Sequence, residues 1–134
     1  MLLQRPEIKT RLDEELVGWL TTVAPGGQPQ SSPVWHVTDA NDIIVYSRAD
    51  ATRLTNLAAN SRVAYNLRGD VRGNHILTME GTAQVDETLP GPAGNPAYLA
   101  KYETEMLRLG WSPQQYDTDF PVPIRIRLSR IRAF

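Results

Sequence analysis

The sequence predicts a mainly β domain, six antiparallel strands closing into a small barrel with short helices set between them. Three observations lead there. Apolar residues recur at a period of two over several short stretches, the spacing of half-buried strands. Turn-forming clusters such as Pro25-Gly26-Gly27 and Asp39-Ala40-Asn41-Asp42 separate those stretches. A chain of 134 residues, 41% hydrophobic and 22% charged, suits one soluble domain with a real core.

Taken in order, Pro6 to Leu16 reads as a helix. Pro6 suits a first turn, Glu7 favours the positive end of the dipole, and Ile8, Leu12 and Leu16 share one face. Val17 to Ala24, Gln30 to Thr38 and Ile43 to Ser47 read as three strands of a meander joined by tight turns. At Ala51 the period changes: Leu54, Leu57 and Ala58 recur at helical spacing, which predicts a short helix ending near Asn60. Arg62 to Arg68 is a fourth strand with Val63, Tyr65 and Leu67 on one face, and Asn66 is expected to be hydrogen-bonded within the barrel or at its rim. His75 to Asp86 is a fifth strand, where Gly81 signals a bulge or a close backbone approach. Leu89 to Asn95 is rich in Pro and Gly, a composition that favours mobility. Pro96 to Leu109 is a helix with Leu99, Tyr102, Met106 and Leu109 on its stripe, and Pro113 to Phe120 a further helical turn. Pro123 to Arg132 is the last strand. Ile124, Ile126 and Leu128 have even parity and Ile131 odd, so a bulge is expected near Ser129-Arg130.

Composition excludes several classes of function. A net charge of −1 argues against a protein held on nucleic acid by bulk basicity. Without cysteine there is no disulfide framework, thiolate metal site or thiol nucleophile. No apolar run approaches the ~20 residues that span a membrane, and the N-terminus lacks a secretory signal's apolar stretch, so a cytoplasmic protein is the expectation. No glycine-rich nucleotide loop or nucleophile elbow is present, and no metal site is expected from His36 and His75. His36 reads as a structural histidine or as part of a pocket lining.

Twelve of the fourteen basic residues are arginine. They concentrate from Arg48 to Arg72 and from Arg125 to Arg132, two regions able to lend positive potential to a pocket. The stretch from Ile44 to Asn60 is the richer. A strand ends at Tyr46-Ser47, Arg48 follows, and a helix opens with Thr52 and Arg53. Hydroxyls, guanidinium groups and a fresh helix N-terminus converge there, the ingredients of a phosphate site. An ordinary strand-to-helix turn with solvated arginines satisfies the same residues.

The segment IIVYSRADATRLTNL is similar to the phosphate-binding strand and helix of the pyridoxamine-5′-phosphate-oxidase-like split β-barrel family. SSPVWHVTD resembles that family's cofactor-ring strand, and MEGTAQVDE its long fifth strand. NPAYLAKYETEMLRLGWSP followed by VPIRIRLSRIRAF resembles an actinobacterial branch classed as probable enzymes of the deazaflavin coenzyme F420. The resemblance runs from about Leu12 to Phe134. It implies a split barrel, a homodimer with two sites in clefts between subunits, and an F420-dependent oxidoreductase acting on a small molecule such as an activated alkene or quinone. FMN is the alternative cofactor, and a non-catalytic flavin or deazaflavin binder the alternative role. Carried over by position, Ser47, Arg48, Thr52 and Arg53 would hold the phosphate or tail, with Asn56 a weaker candidate, and Ser32, Pro33, Val34 and Trp35 would border the ring. Arg53 stands where many members have lysine, and its fork favours a multiply charged tail. Tyr46, His36, His75 or solvent would supply a proton. The aromatic residues Trp19, Trp35, Tyr98, Tyr102 and Trp111 add to the expectation of a dimer.

Overall fold

The computed structural model describes residues 2–134. Six strands, β1 (Val17–Val23), β2 (Pro29–Asp39), β3 (Asp42–Ser47), β4 (Arg62–Leu67), β5 (Leu77–Val85) and β6 (Val122–Ala133), close in the order β1-β2-β3-β6-β5-β4, every neighbouring pair antiparallel. The helices are α1 (Pro6–Glu14), α2 (Thr52–Ala59), α3 (Pro96–Leu109) and α4 (Pro113–Asp119). No described helix is long and apolar enough to cross a membrane.

Strand parity builds two cores. Inward residues such as Leu20, Val34, Ile43, Val45, Tyr65 and Met79 fill the barrel, and Leu3, Ile8 and Leu12 join the same cluster. Leu16 does not, because α1 stops at Glu14 and Glu15 is already extended; Leu16 is exposed. The second core lies outside the barrel. Val37, Ile44 and Tyr46, on the outer faces of β2 and β3, are covered by Tyr98, Tyr102 and Met106 of α3 and Tyr116 of α4. Ile43–Ser47 is therefore buried on both faces. The expectation of surplus aromatic surface needs correction here: Tyr98 and Tyr102 are fully buried on the face of α3 that packs on β2 and β3, and the exposed tryptophan is Trp19.

The bulge sits where parity demands it. Glu80 pairs with Arg130 and Gly81 with Leu128, which leaves Ser129 as the extra residue. Gly81 is required there, since a Cβ would collide with the Arg127 carbonyl. Ile131 is thereby returned to the interior cluster that Leu128 also joins. Asn66 faces outward opposite Trp19, away from the interior filled by Tyr65 and Leu67.

His36 is the polar centre of the barrel end. It is fully buried; its Nε2–H donates to the Leu12 carbonyl at 2.9 Å, and Nδ1 accepts from the Tyr65 hydroxyl. Burial holds its pKa down at about 3. A side chain at position 18 would occupy the place of the Tyr65 hydroxyl, so Gly18 makes room for this pair. Lys101 of α3 donates to the carbonyls of Leu12 (2.8 Å) and His36 (3.1 Å), locking α1 and β2 to α3.

Candidate functional site

Two cavities meet at one side chain. A polar one of about 460 Å³ is lined by Ser32, Thr52, Arg53 and Asn56, together with Thr22 and Gln30. An apolar one of about 370 Å³ is walled by Pro33, Val34, Trp35 and by α4 and the segment leading into it, with Arg53 at its edge. The Arg53 Nη2 donates to Ser32 Oγ at 2.8 Å, and Nη1 lies 3.5 Å from Ser47 Oγ.

Arg53 is placed by sequence logic. α2 begins at Thr52 after Ala51, whose side chain cannot cap it. The first N–H groups of a helix have no partner within it; that of Leu54 donates to the Ala51 carbonyl, and the first-turn residues Thr52 and Arg53 line the polar cavity. Arg53 is half-buried, and among the described residues no carboxylate pairs with it. Burial lowers its pKa from the ordinary arginine range. A cation kept partly from water without a counter-charge is a site that favours an anion.

The remaining candidates divide. Ser47 is buried and donates to the Arg48 carbonyl at 3.0 Å, so its hydroxyl helps fix the loop beneath Arg53. Asn56 is buried and spends its amide on Thr22 Oγ1 (2.9 Å) and Gln30 Oε1 (2.8 Å), which holds α2 to the barrel and shapes the floor of the polar cavity. Arg48 lines neither cavity. Its guanidinium lies over the Phe120 ring instead, a contact 72 residues away in sequence and invisible to local pattern.

Tyr116, Phe120, Trp111 and Leu109 also line the apolar cavity and escape the sequence reading as site residues. Their signal was present as the aromatic run from Trp111 to Phe120, but only the packing of α4 on β2 brings it to the cleft. Trp35 is parallel to Tyr102 on one side (4.5 Å, 4°) and to Tyr116 (5.4 Å, 3°), and Tyr116 is stacked on Phe120 at 4.4 Å. The proton sources named above fare differently. Tyr46 faces the apolar cavity, whereas His36 is sealed in the barrel and His75 is exposed in the β4–β5 loop.

The Leu89 to Asn95 segment is tied down: Tyr46 donates to the Pro90 carbonyl (2.9 Å) and Asp117 accepts from the Ala93 N–H (2.9 Å). The second arginine region is partly neutralised, because Arg125 pairs with Asp39, Asp42 and Asp86. Among the described residues no group of three or more His, Asp or Glu is placed to hold a metal ion.

Residues 4–105 match the family model of pyridoxamine 5′-phosphate oxidase. No curated protein matches the chain in sequence. Solved structures of the same fold include an F420 reductase, 24% identical over 92% of this chain and 94% of that one, TM-score 0.67. HutZ, the heme storage protein of Vibrio cholerae, is 20% identical over 96% and 93%, TM-score 0.68. General Stress Protein 26 of Bacillus anthracis is 18% identical over 98% and 94%, TM-score 0.71. Identities this low establish the shared barrel, and the differing functions in those names leave the ligand to be argued from the site.

Proposed function

The chain belongs to the pyridoxamine 5′-phosphate oxidase family, and on that premise we propose that it is an oxidoreductase that holds the deazaflavin F420 and serves hydride transfer to a small organic substrate such as an activated alkene or quinone. The observation that carries this reading is Arg53, half-buried without a carboxylate, at the junction of a polar and an apolar cavity. A cofactor with an anionic tail and a planar ring needs that pairing of environments. An F420 reductase of the same fold supports the choice, as does the arginine fork, which suits a tail bearing phosphate and carboxylates. FMN, held by the same grip, is the alternative cofactor.

In this reading Arg53, Ser32, Thr52 and the N–H groups of Thr52 and Arg53 that open α2 bind the phosphate, while Ser47 buttresses Arg53. Pro33, Val34 and Trp35 form the wall along which the ring lies. Trp35, Tyr116 and Phe120 exclude water from that wall, which strengthens the electrostatic contacts inside. A bound deazaflavin or flavin supplies the hydride chemistry itself. A heme role gains no support from the histidines: both nitrogens of His36 are engaged, and His75 lies outside both cavities.

A second copy of the chain completes the site in this proposal. Val17, which lines the apolar cavity, shares an outward face with the exposed Trp19, so an apolar strip runs from the cavity mouth across β1.

The deciding experiment is titration of purified protein with F420 and with FMN, for wild type and Arg53→Ala. F420 binding that weakens about 10- to 150-fold on losing Arg53 is the expected result, the range of one charge-assisted bond. Binding of FMN alone replaces F420 with FMN, and binding of neither overturns the reading. Turnover of a quinone or activated alkene by the reduced complex separates an enzyme from a carrier.

A further inference from the structure

We propose that Lys101 is an acylation site: its side-chain nitrogen takes a small activated acyl group in the cavity between α1, β2 and α3, and the modification releases α1 from α3. That cavity shares no lining residue with the two that meet at Arg53, so the site stands apart from the cofactor reading.

The cavity, of about 470 Å³, lies outside the barrel. Lys9 and Asp13 of α1, Thr38 of β2, and Ala97, Ala100 and Lys101 of α3 line it. The Lys101 side chain starts on α3 and ends at the Leu12 carbonyl of α1, so it spans the gap that the cavity occupies. The small side chains of Ala97 and Ala100 leave that gap open beside it.

The nitrogen is held by acceptors alone. Nζ donates to the Leu12 carbonyl at 2.8 Å and to the His36 carbonyl at 3.1 Å. Among the described residues no carboxylate lies within ion-pair distance of it. An amine kept partly from water without a paired counter-charge favours its neutral form, and burial brings Lys101 down from the ordinary 10.5 to about 8. From the α1 side Asp13 and Glu15 oppose that fall, and Lys9 adds to it. On β2 His36 is neutral, its pKa held at about 3. On α3 the Tyr102 ring centroid is 5.2 Å from Nζ, and the Tyr102 hydroxyl is committed to the Leu16 and His36 carbonyls. A neutral amine has two protons and one lone pair. The two carbonyls take the protons and leave the lone pair, which makes the nitrogen a fixed nucleophile beside an open cavity.

In the reaction that lone pair attacks the acyl carbonyl carbon. The C–N bond forms, the bond from that carbon to the leaving phosphate oxygen or thiol sulfur breaks with its electron pair, and Nζ sheds a proton to water. The amide left behind has one N–H, so one of the two carbonyls loses its donor. The tie that holds α1 and β2 to α3 is thereby cut.

The chain has only two lysines, so Lys9 is the internal reference. Its side chain is 51% exposed and its Nζ lies 2.7 Å from Asp13. Purified protein is treated with acetyl phosphate and, separately, with S-acetyl-N-acetylcysteamine, a thioester. Peptide mass spectrometry reads the rate at each lysine. Each unit of pKa is a tenfold change in neutral amine, so near neutral pH Lys101 holds over about 100-fold more of it than an ordinary lysine. Burial and lower basicity return part of that advantage, and Lys101 should react about 10-fold faster than Lys9 despite its lesser exposure. Its rate should level off above about pH 8.

Label from acetyl phosphate assigns the site to acyl phosphates, label from the thioester to acyl thioesters, and label from both to either donor. Equal rates at the two lysines, faster reaction at Lys9, or no reaction with either donor overturns the proposal. In protein acetylated at Lys101 alone, amide hydrogen exchange across α1 should quicken while that of β5 stays as it was. Unchanged exchange in α1 overturns the release.

Discussion

The Arg48 guanidinium lies 4.9 Å from the centroid of the Phe120 ring, which joins the loop before α2 to the residue that closes α4. An arginine expected to grip phosphate is thus engaged in holding one wall of the apolar cavity. Arg48→Ala should therefore cost less cofactor affinity than Arg53→Ala, with a loss of under about 5-fold, the scale of an exposed cation–π contact. It should also alter the near-ultraviolet circular dichroism of the Trp111–Phe120 cluster. A cofactor loss as large as that of Arg53→Ala would return Arg48 to the phosphate site.

Charge and fork at position 53 are separable. Arg53→Lys retains the cation and should bind cofactor more weakly than wild type and more tightly than Arg53→Ala. Raising salt should weaken the wild type more than Arg53→Ala, because only the former has the ionic attraction to screen. Fluorescence titrations at two salt concentrations provide the comparison, and identical salt slopes would place the anion elsewhere.

His36 gives stability a pH dependence whose sign follows from its burial. Its pKa falls from the ordinary 6.5 to about 3 in the folded protein. Between those values the unfolded chain binds a proton that the folded one does not. Stability from this source is complete above about pH 6.5 and declines as pH falls towards 3, by up to about 1.4 kcal/mol per pH unit. His36→Gln should start less stable and lose less on acidification. Urea unfolding of both proteins from pH 7.5 to 4.5 isolates the difference, since their carboxylates are shared. Parallel curves would show that the fold does not depress the His36 pKa.

Gly18→Ala should destabilise by about 1–3 kcal/mol, the usual cost of overpacking, because the added methyl meets the Tyr65 hydroxyl. Removing that hydroxyl in Gly18→Ala/Tyr65→Phe should recover part of the loss. Thermal melts of the single and double variants test this, and strict additivity of the two effects would rule out the clash as the cause.

Trp19→Glu should weaken self-association about 10-fold or more if the exposed face of β1 meets a second copy. Sedimentation velocity across a dilution series reports it. An unchanged dimer would move the interface, and a wild-type monomer with full cofactor affinity would remove it from the site.

The barrel was legible because its strands are short, alternate cleanly and end at Gly, Pro and Asp clusters. Even the bulge was legible, since Ile126 and Ile131 cannot share a face without one. Leu16 was misread because helical spacing continues past the point where the backbone leaves the helix. The outer core was harder to see. Ile43–Ser47 is a continuous buried run, and such a run does not reveal what covers its second face. The candidate site followed the same division. Arg53 is half-buried at the start of α2, where the local pattern puts it, but it donates to Ser32, which the resemblance places beside the ring and which lines the polar cavity instead. The role of Arg48 and the aromatic wall from Trp111 to Phe120 depend on where α4 docks, a tertiary relationship with no period in the sequence.

The ten residues of β6 from Ile124 to Ala133 stand opposite the nine of β5 from Leu77 to Val85, one position more than β5 has places for. That surplus makes the strand unusually forgiving of shortening at a single address. Deleting Ser129 brings Arg130 directly after Leu128, opposite the Glu80 it already pairs with, and every later side chain keeps its facing. Deleting Arg127 turns Leu128 outward and Ser129 inward. A lineage of such barrels can therefore gain or lose a residue at 129 while retaining its interior, and length variation among relatives should collect there. A melting temperature close to wild type for the chain lacking Ser129, against a large loss for the chain lacking Arg127, is the signature of that tolerance.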